Sequence, residues 1–81
     1  MEVHVRFFAS LRARSGEPGC TLDLPGGATV GEALHAVVTR YPALAGGEGA
    51  WHLAVNQTHA DPATVLMPGD VLAIFPYLAG G

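Results

Sequence analysis

Lysine is missing from this chain altogether, and its four cationic side chains are the arginines Arg6, Arg12, Arg14 and Arg40. Seven acids outweigh them, leaving a net charge of −3. Nowhere do the arginines form a basic stripe, so the electrostatic footprint of a nucleic-acid binder is absent. The charge suits a partner with a basic groove instead. Cysteine occurs once, as Cys20, which excludes an internal disulfide and removes any sign of an oxidising compartment. No apolar run approaches the ~20 residues that a bilayer span requires, so no membrane partner is expected. Met1-Glu2-Val3-His4 lacks the charged-then-apolar order of a secretory leader, and the cytoplasm is the expected location. Charged residues are only 14% of the chain against 49% hydrophobic, a balance that excludes disorder. A length of 81 residues then leaves room for one domain with a modest core.

Catalytic constellations are equally scarce. His4, His35, His52 and His59 have no metal-ligand spacing and read as surface or rim residues, so no metal site is expected. Cys20 lies on the apolar side of an alternating segment and reads as a small buried hydrophobe. Gly26-Gly27-Ala28-Thr29-Val30-Gly31-Glu32 is glycine-rich, but no Lys-Ser or Lys-Thr follows, so it is a turn into a helix rather than a phosphate loop. Ser10 and Ser15 have no paired base. The chain is expected to bind no cofactor of its own.

What is present is periodicity. Val3, Val5 and Phe7 alternate with His4, Arg6 and Phe8, which predicts a strand with two distinct faces. A short helical segment follows, broken by Gly16, Pro18 and Gly19. Cys20 to Leu24 alternates again, predicting a second strand paired with the first across a wide connection. Thr29 and Glu32 form a capping box, and Val30, Leu34, Val37, Val38 and Tyr41 recur at helical spacing until Pro42. Residues 43–50 read as a flexible surface loop. Trp51, Leu53 and Val55 mark a third strand closed by Asn56, with an optional short strand after it. Pro68-Gly69 makes a tight turn into a last strand, Val71 to Phe75, which Pro76 ends. The predicted class is α+β: a mixed sheet covered on one face by a helix, with the first and last strands side by side. That is a β-grasp, or ubiquitin-like, arrangement. Residues 1–75 form the domain and 76–81 a flexible, extended C-terminal tail.

The tail has a composition suited to insertion. Pro76 restricts the chain, Tyr77 and Leu78 offer apolar anchors, and Ala79-Gly80-Gly81 becomes progressively thinner. Six extended residues reach at most about 20 Å. A tip without side chains can enter a narrow channel and present its carboxylate to another protein's catalytic groups. A carboxylate is a poor electrophile at neutral pH, but it can attack an activated phosphate and become an acyl adenylate. A sulfur or nitrogen nucleophile can then displace AMP. The opposing reading is a frayed end with no role.

Three segments carry a resemblance: Arg6-Phe7-Phe8-Ala9-Ser10-Leu11-Arg12, Val55-Asn56-Gln57, and Pro68-Gly69-Asp70 through Phe75-Pro76 to Gly80-Gly81. Together they resemble the MoaD branch of the MoaD/ThiS family, the sulfur-carrier small subunits of molybdopterin synthase. The resemblance implies a β-grasp fold and adenylylation of the terminal glycine by an E1-like adenylyltransferase that uses ATP. It implies conversion to a thiocarboxylate by a sulfurtransferase or cysteine desulfurase. Insertion into the molybdopterin synthase large subunit then follows, in a heterotetramer. There the sulfur passes to cyclic pyranopterin monophosphate in molybdenum cofactor biosynthesis. On this chain Gly81 would bear the sulfur, with Gly80 the slender residue behind it. The chain would be the sulfur-donating subunit of a sulfurtransferase complex, not catalytic by itself. Family tails commonly read Phe-Pro-Pro-Val before a small residue and Gly-Gly, whereas Tyr77 and Leu78 stand here, making the tail bulkier.

The outward faces predict an interface. If Leu72 and Ile74 point to the core, then Val71, Ala73 and Phe75 point away, and Phe8 lies on the same side. Phe8 and Phe75 are expected to form an aromatic patch beside the tail root, with Pro76, Tyr77, Leu78 and Ala79 continuing the partner-binding surface. Three other readings remain at this point: a sulfur carrier for thiamine biosynthesis, a ubiquitin-like protein modifier, and a β-grasp binding module with an inert end.

Overall fold

The computed structural model describes residues 1–76. Five strands form one mixed sheet: β1 (Glu2–Phe7), β2 (Gly19–Asp23), β3 (His52–Val55), β4 (Thr58–Ala60) and β5 (Val71–Phe75), in the spatial order β2-β1-β5-β3-β4. β1 and β5, nearly the two ends of the described chain, run parallel at the centre with Val5 opposite Leu72 and Phe7 opposite Ile74. The remaining pairings, β1 with β2, β3 with β5 and β3 with β4, are antiparallel. This is the expected β-grasp, and the optional short strand is β4.

Alternation decides which face of the sheet is buried. Val3, Val5, Phe7, Leu72 and Ile74 are all at or below 2% exposure, and they meet Val30, Ala33, Leu34 and Val37 of helix α2 (Val30–Arg40). Each of these side chains larger than alanine contributes roughly 1.5–3 kcal/mol on burial. The helix starts where the capping pattern placed it, with the Thr29 hydroxyl accepting from Glu32 N at 3.3 Å. Val30, Leu34 and Val37 of the expected stripe are buried, Ala33 joins them, and Val38 and Tyr41 pack half-buried against the core. Tyr41 caps the helix and packs edge-on against Phe7, ring centroids 5.3 Å apart.

Residues 43–50 are not a plain surface loop. Pro42 ends α2 but opens a 3₁₀ turn, Pro42–Leu44, because its fixed φ and missing N–H suit the first position of a new helical turn. That turn drives Leu44 into the core at 1% exposure, while Arg14 donates to Ala43 O at 2.7 Å. A second 3₁₀ turn spans Glu48–Ala50. Leu11, on the short helix α1 (Ser10–Ser15), and Leu66, in the β4–β5 connection, close the core from the two other sides. Cys20 is half-buried rather than fully so, because β2 is an edge strand. Burial pushes its thiol pKa up; the Arg40 charge and a hydrogen bond with Tyr41 pull the other way and lose, while Glu17 adds to the rise.

Candidate functional site: the open face of the sheet

The face opposite α2 carries the site. Phe8 follows β1 immediately, and its N–H donates to Ile74 O at 3.2 Å, extending the parallel pairing by one residue. Ala9 then takes φ +50 and turns the chain away into α1. This local break leaves Phe8 on the outer face, beside Phe75. The two rings stack with centroids 4.4 Å apart and planes 17° from parallel. Both are half-buried, and the Arg6 guanidinium lies 5.7 Å from the Phe8 centroid.

Small side chains make this face concave. Ala73 on β5 lies between Arg6 on β1 and Ala54 on β3, and with Val71 the two alanines floor a groove of about 700 Å³. Phe8 and Phe75 wall one end, and Asn56 and Gln57 wall the other. Asn56 and Gln57 are the two central residues of the β3–β4 hairpin, at φ +50 and +70, the pattern of a two-residue type I′ turn.

That hairpin is tied to the start of β5 by a compact hydrogen-bond network. The Asn56 amide donates to Asp70 Oδ1 at 2.9 Å and accepts from Val71 N at 2.9 Å, while Asn56 N donates to Val71 O at 2.9 Å. Asp70 Oδ2 accepts from Met67 N at 2.8 Å, closing the Met67–Asp70 turn in which Gly69 takes φ +82. Two of the three motif segments in the sequence therefore meet here. From its sequence context Asn56 reads only as a turn residue; its bonding to Asp70 spans 14 positions, and no periodicity exposes such a pair.

Of the site residues expected from the sequence, the structure brings Phe8 and Phe75 together and places Pro76, half-buried, directly after the stack. Tyr77, Leu78, Ala79, Gly80 and Gly81 lie outside the described residues. Among the described residues, no group of three or more His, Cys, Asp or Glu side chains could hold a metal ion. No helix among them is long and apolar enough to cross a membrane.

Comparison with known proteins agrees with this geometry. The model of the ThiS family matches residues 5–81. The molybdopterin synthase sulfur carrier subunit of Arabidopsis thaliana is 32% identical over 81 residues, covering all of this chain and 84% of that protein. The crystal structure of small archaeal modifier protein 1 from Haloferax volcanii superposes with a TM-score of 0.86 at 32% identity, covering 95% of this chain and 98% of the other. A third similar structure is a protein–protein complex of subunits 1 and 2 of the molybdopterin-converting factor from Helicobacter pylori. The match there has a TM-score of 0.70 at 27% identity and covers the whole of both chains.

Proposed function

This chain belongs to the ThiS family, and from that premise we propose that it is the sulfur-carrier subunit of a molybdopterin synthase. The domain presents the tail, and the tail carries the chemistry. The Gly81 carboxylate attacks the α-phosphate of ATP on an E1-like adenylyltransferase, forming an acyl adenylate and releasing pyrophosphate. The terminal sulfur of a persulfide carried by a sulfurtransferase or cysteine desulfurase then displaces AMP at the carbonyl carbon. A second thiol cleaves the acyl disulfide so formed, leaving the thiocarboxylate and itself ending in a disulfide. The resulting thiocarboxylate enters the synthase large subunit and gives its sulfur to cyclic pyranopterin monophosphate. Gly80 keeps the arm thin enough to enter.

One observation carries this reading: the stacked Phe8–Phe75 pair sits on the sheet face opposite α2, at the root of the tail. Aromatic side chains that are half-buried without an element over them are common anchors of protein interfaces. Here a partner seated on them would hold the base of the tail fixed while Pro76 to Gly81 reach inward. The Helicobacter pylori complex of two subunits supports an arrangement of this kind.

The test is intact-mass spectrometry after incubation with ATP, the activating enzyme and a sulfur donor. A gain equal to one oxygen replaced by sulfur, absent when Gly81 is deleted, is the expected result. Similarity to a small archaeal modifier protein favours a second reading, attachment of Gly81 to lysines of other proteins. Higher-mass adducts without a thiocarboxylate would select it. The chain lacks lysine, so lysine-linked chains on itself are impossible in either case.

A further inference from the structure

The groove's own charge narrows the chemistry of the partner, on the premise that the chain docks as a carrier through this face. Arg6 is exposed and is the one cation lining the groove; the other polar liners, Asn56 and Gln57, are neutral. Its neighbours across the sheet are Gly19 on β2 and Ala73 on β5, neither of which can offer a counter-charge. Position 19 is closed to any larger residue in this backbone, because a Cβ there would collide with the Val5 carbonyl oxygen. Among the described residues the ion pairs are Met1 N with Asp23 and His4 with Glu2, and neither involves Arg6.

An apolar floor beside a guanidinium that has the Phe8 ring near it but no carboxylate partner among the described residues is a demanding surface. A purely apolar partner would cover the cation without pairing it, and one presenting Lys or Arg would add repulsion in a partly dehydrated site. A carboxylate satisfies the guanidinium with two parallel hydrogen bonds. We propose that Arg6 is a specificity-determining residue that selects partners presenting an Asp or Glu side chain beside an apolar side chain. The apolar group seats over Ala54 and Ala73 against Phe75, and the carboxylate meets Arg6. The net charge of −3 attracts basic surfaces at long range, whereas Arg6 sets the opposite requirement at the centre of contact.

Titration calorimetry of the full-length chain with the synthase large subunit and the adenylyltransferase of the same source tests this. The variants are Arg6→Leu, Arg6→Lys and Arg6→Glu, with Phe75→Ala for comparison. For at least one partner, Arg6→Leu should weaken binding about tenfold and Arg6→Glu about a hundredfold, with Arg6→Lys between Leu and wild type. Affinity of the wild type should fall more steeply with salt than that of Arg6→Leu. Unfolding temperatures should stay together, since Arg6 is exposed. Wild-type affinity and salt dependence in Arg6→Leu for both partners would overturn the inference while leaving the carrier role intact. A wild-type chain that binds neither partner would overturn both.

Discussion

Phe8 and Phe75 stack on each other on the sheet face opposite α2, where no other described helix or strand lies over them, so their value to the isolated chain is limited. Stacked pairs contribute about 0.5–1.5 kcal/mol beyond area burial. At an interface centre an aromatic anchor is worth at least ~2 kcal/mol. Phe75→Ala is therefore expected to weaken binding to the large subunit or the adenylyltransferase thirtyfold or so, while unfolding in denaturant shifts by only about 1 kcal/mol. Equal affinity for both partners in wild type and variant would remove the patch from the mechanism. Cys20 supplies a contrast at the same scale. Its thiol is raised above the ordinary value chiefly by burial, so the folded state favours the protonated form. Alkylation at mildly alkaline pH should accordingly be slower in the folded chain than in urea. The thiol's contribution to stability is complete below the pH at which an unfolded thiol ionises, and it is lost as pH rises through the folded value. A folded chain alkylated as fast as the unfolded one would contradict this assignment.

Elements differ in how openly the sequence declares them. The Val3-Val5-Phe7 alternation and the Thr29–Glu32 cap translate directly into β1 and α2, because strand and helix periods repeat over several residues. Leu11, Leu44 and Leu66 are core residues that no period announces: a six-residue helix, a 3₁₀ turn and an irregular connection are each too short to show one. The groove was legible as an outward pair of phenylalanines, but its end wall was not, since it depends on Asn56 reaching Asp70. Breaking that link with Asn56→Ala should cost about 1–3 kcal/mol, because partners on β5 lose their bonds and an alanine must hold φ +50. The neighbouring turn residue predicts the opposite sign. Gln57 holds φ +70, so Gln57→Gly should stabilise the chain by about 0.5–1 kcal/mol in equilibrium unfolding. A destabilised Gln57→Gly would mean that the side chain contributes more than its backbone strain costs.

At the scale of the whole molecule, the central position of β1 and β5 divides folding from chemistry. Parallel pairing of the first and last strands means that the core closes only when Leu72 and Ile74 are in place, so the fold needs both β1 and β5. Among the described residues, by contrast, the 17 buried core side chains lie between Val3 and Ile74, and those lining the groove run no further than Phe75. A chain ending at Pro76 should then unfold at nearly the temperature of the full-length protein. It should also retain measurable affinity for the large subunit through the sheet face, yet acquire no sulfur and inhibit the intact carrier by competition. Loss of competition with folding intact would place docking energy in residues 77–81 and demote the groove. Loss of folding would mean that the tail completes the core. Such a division would let the reactive end be loaded and withdrawn without disturbing the packing that positions it, the core being joined to that end through the backbone that leaves β5 at Pro76.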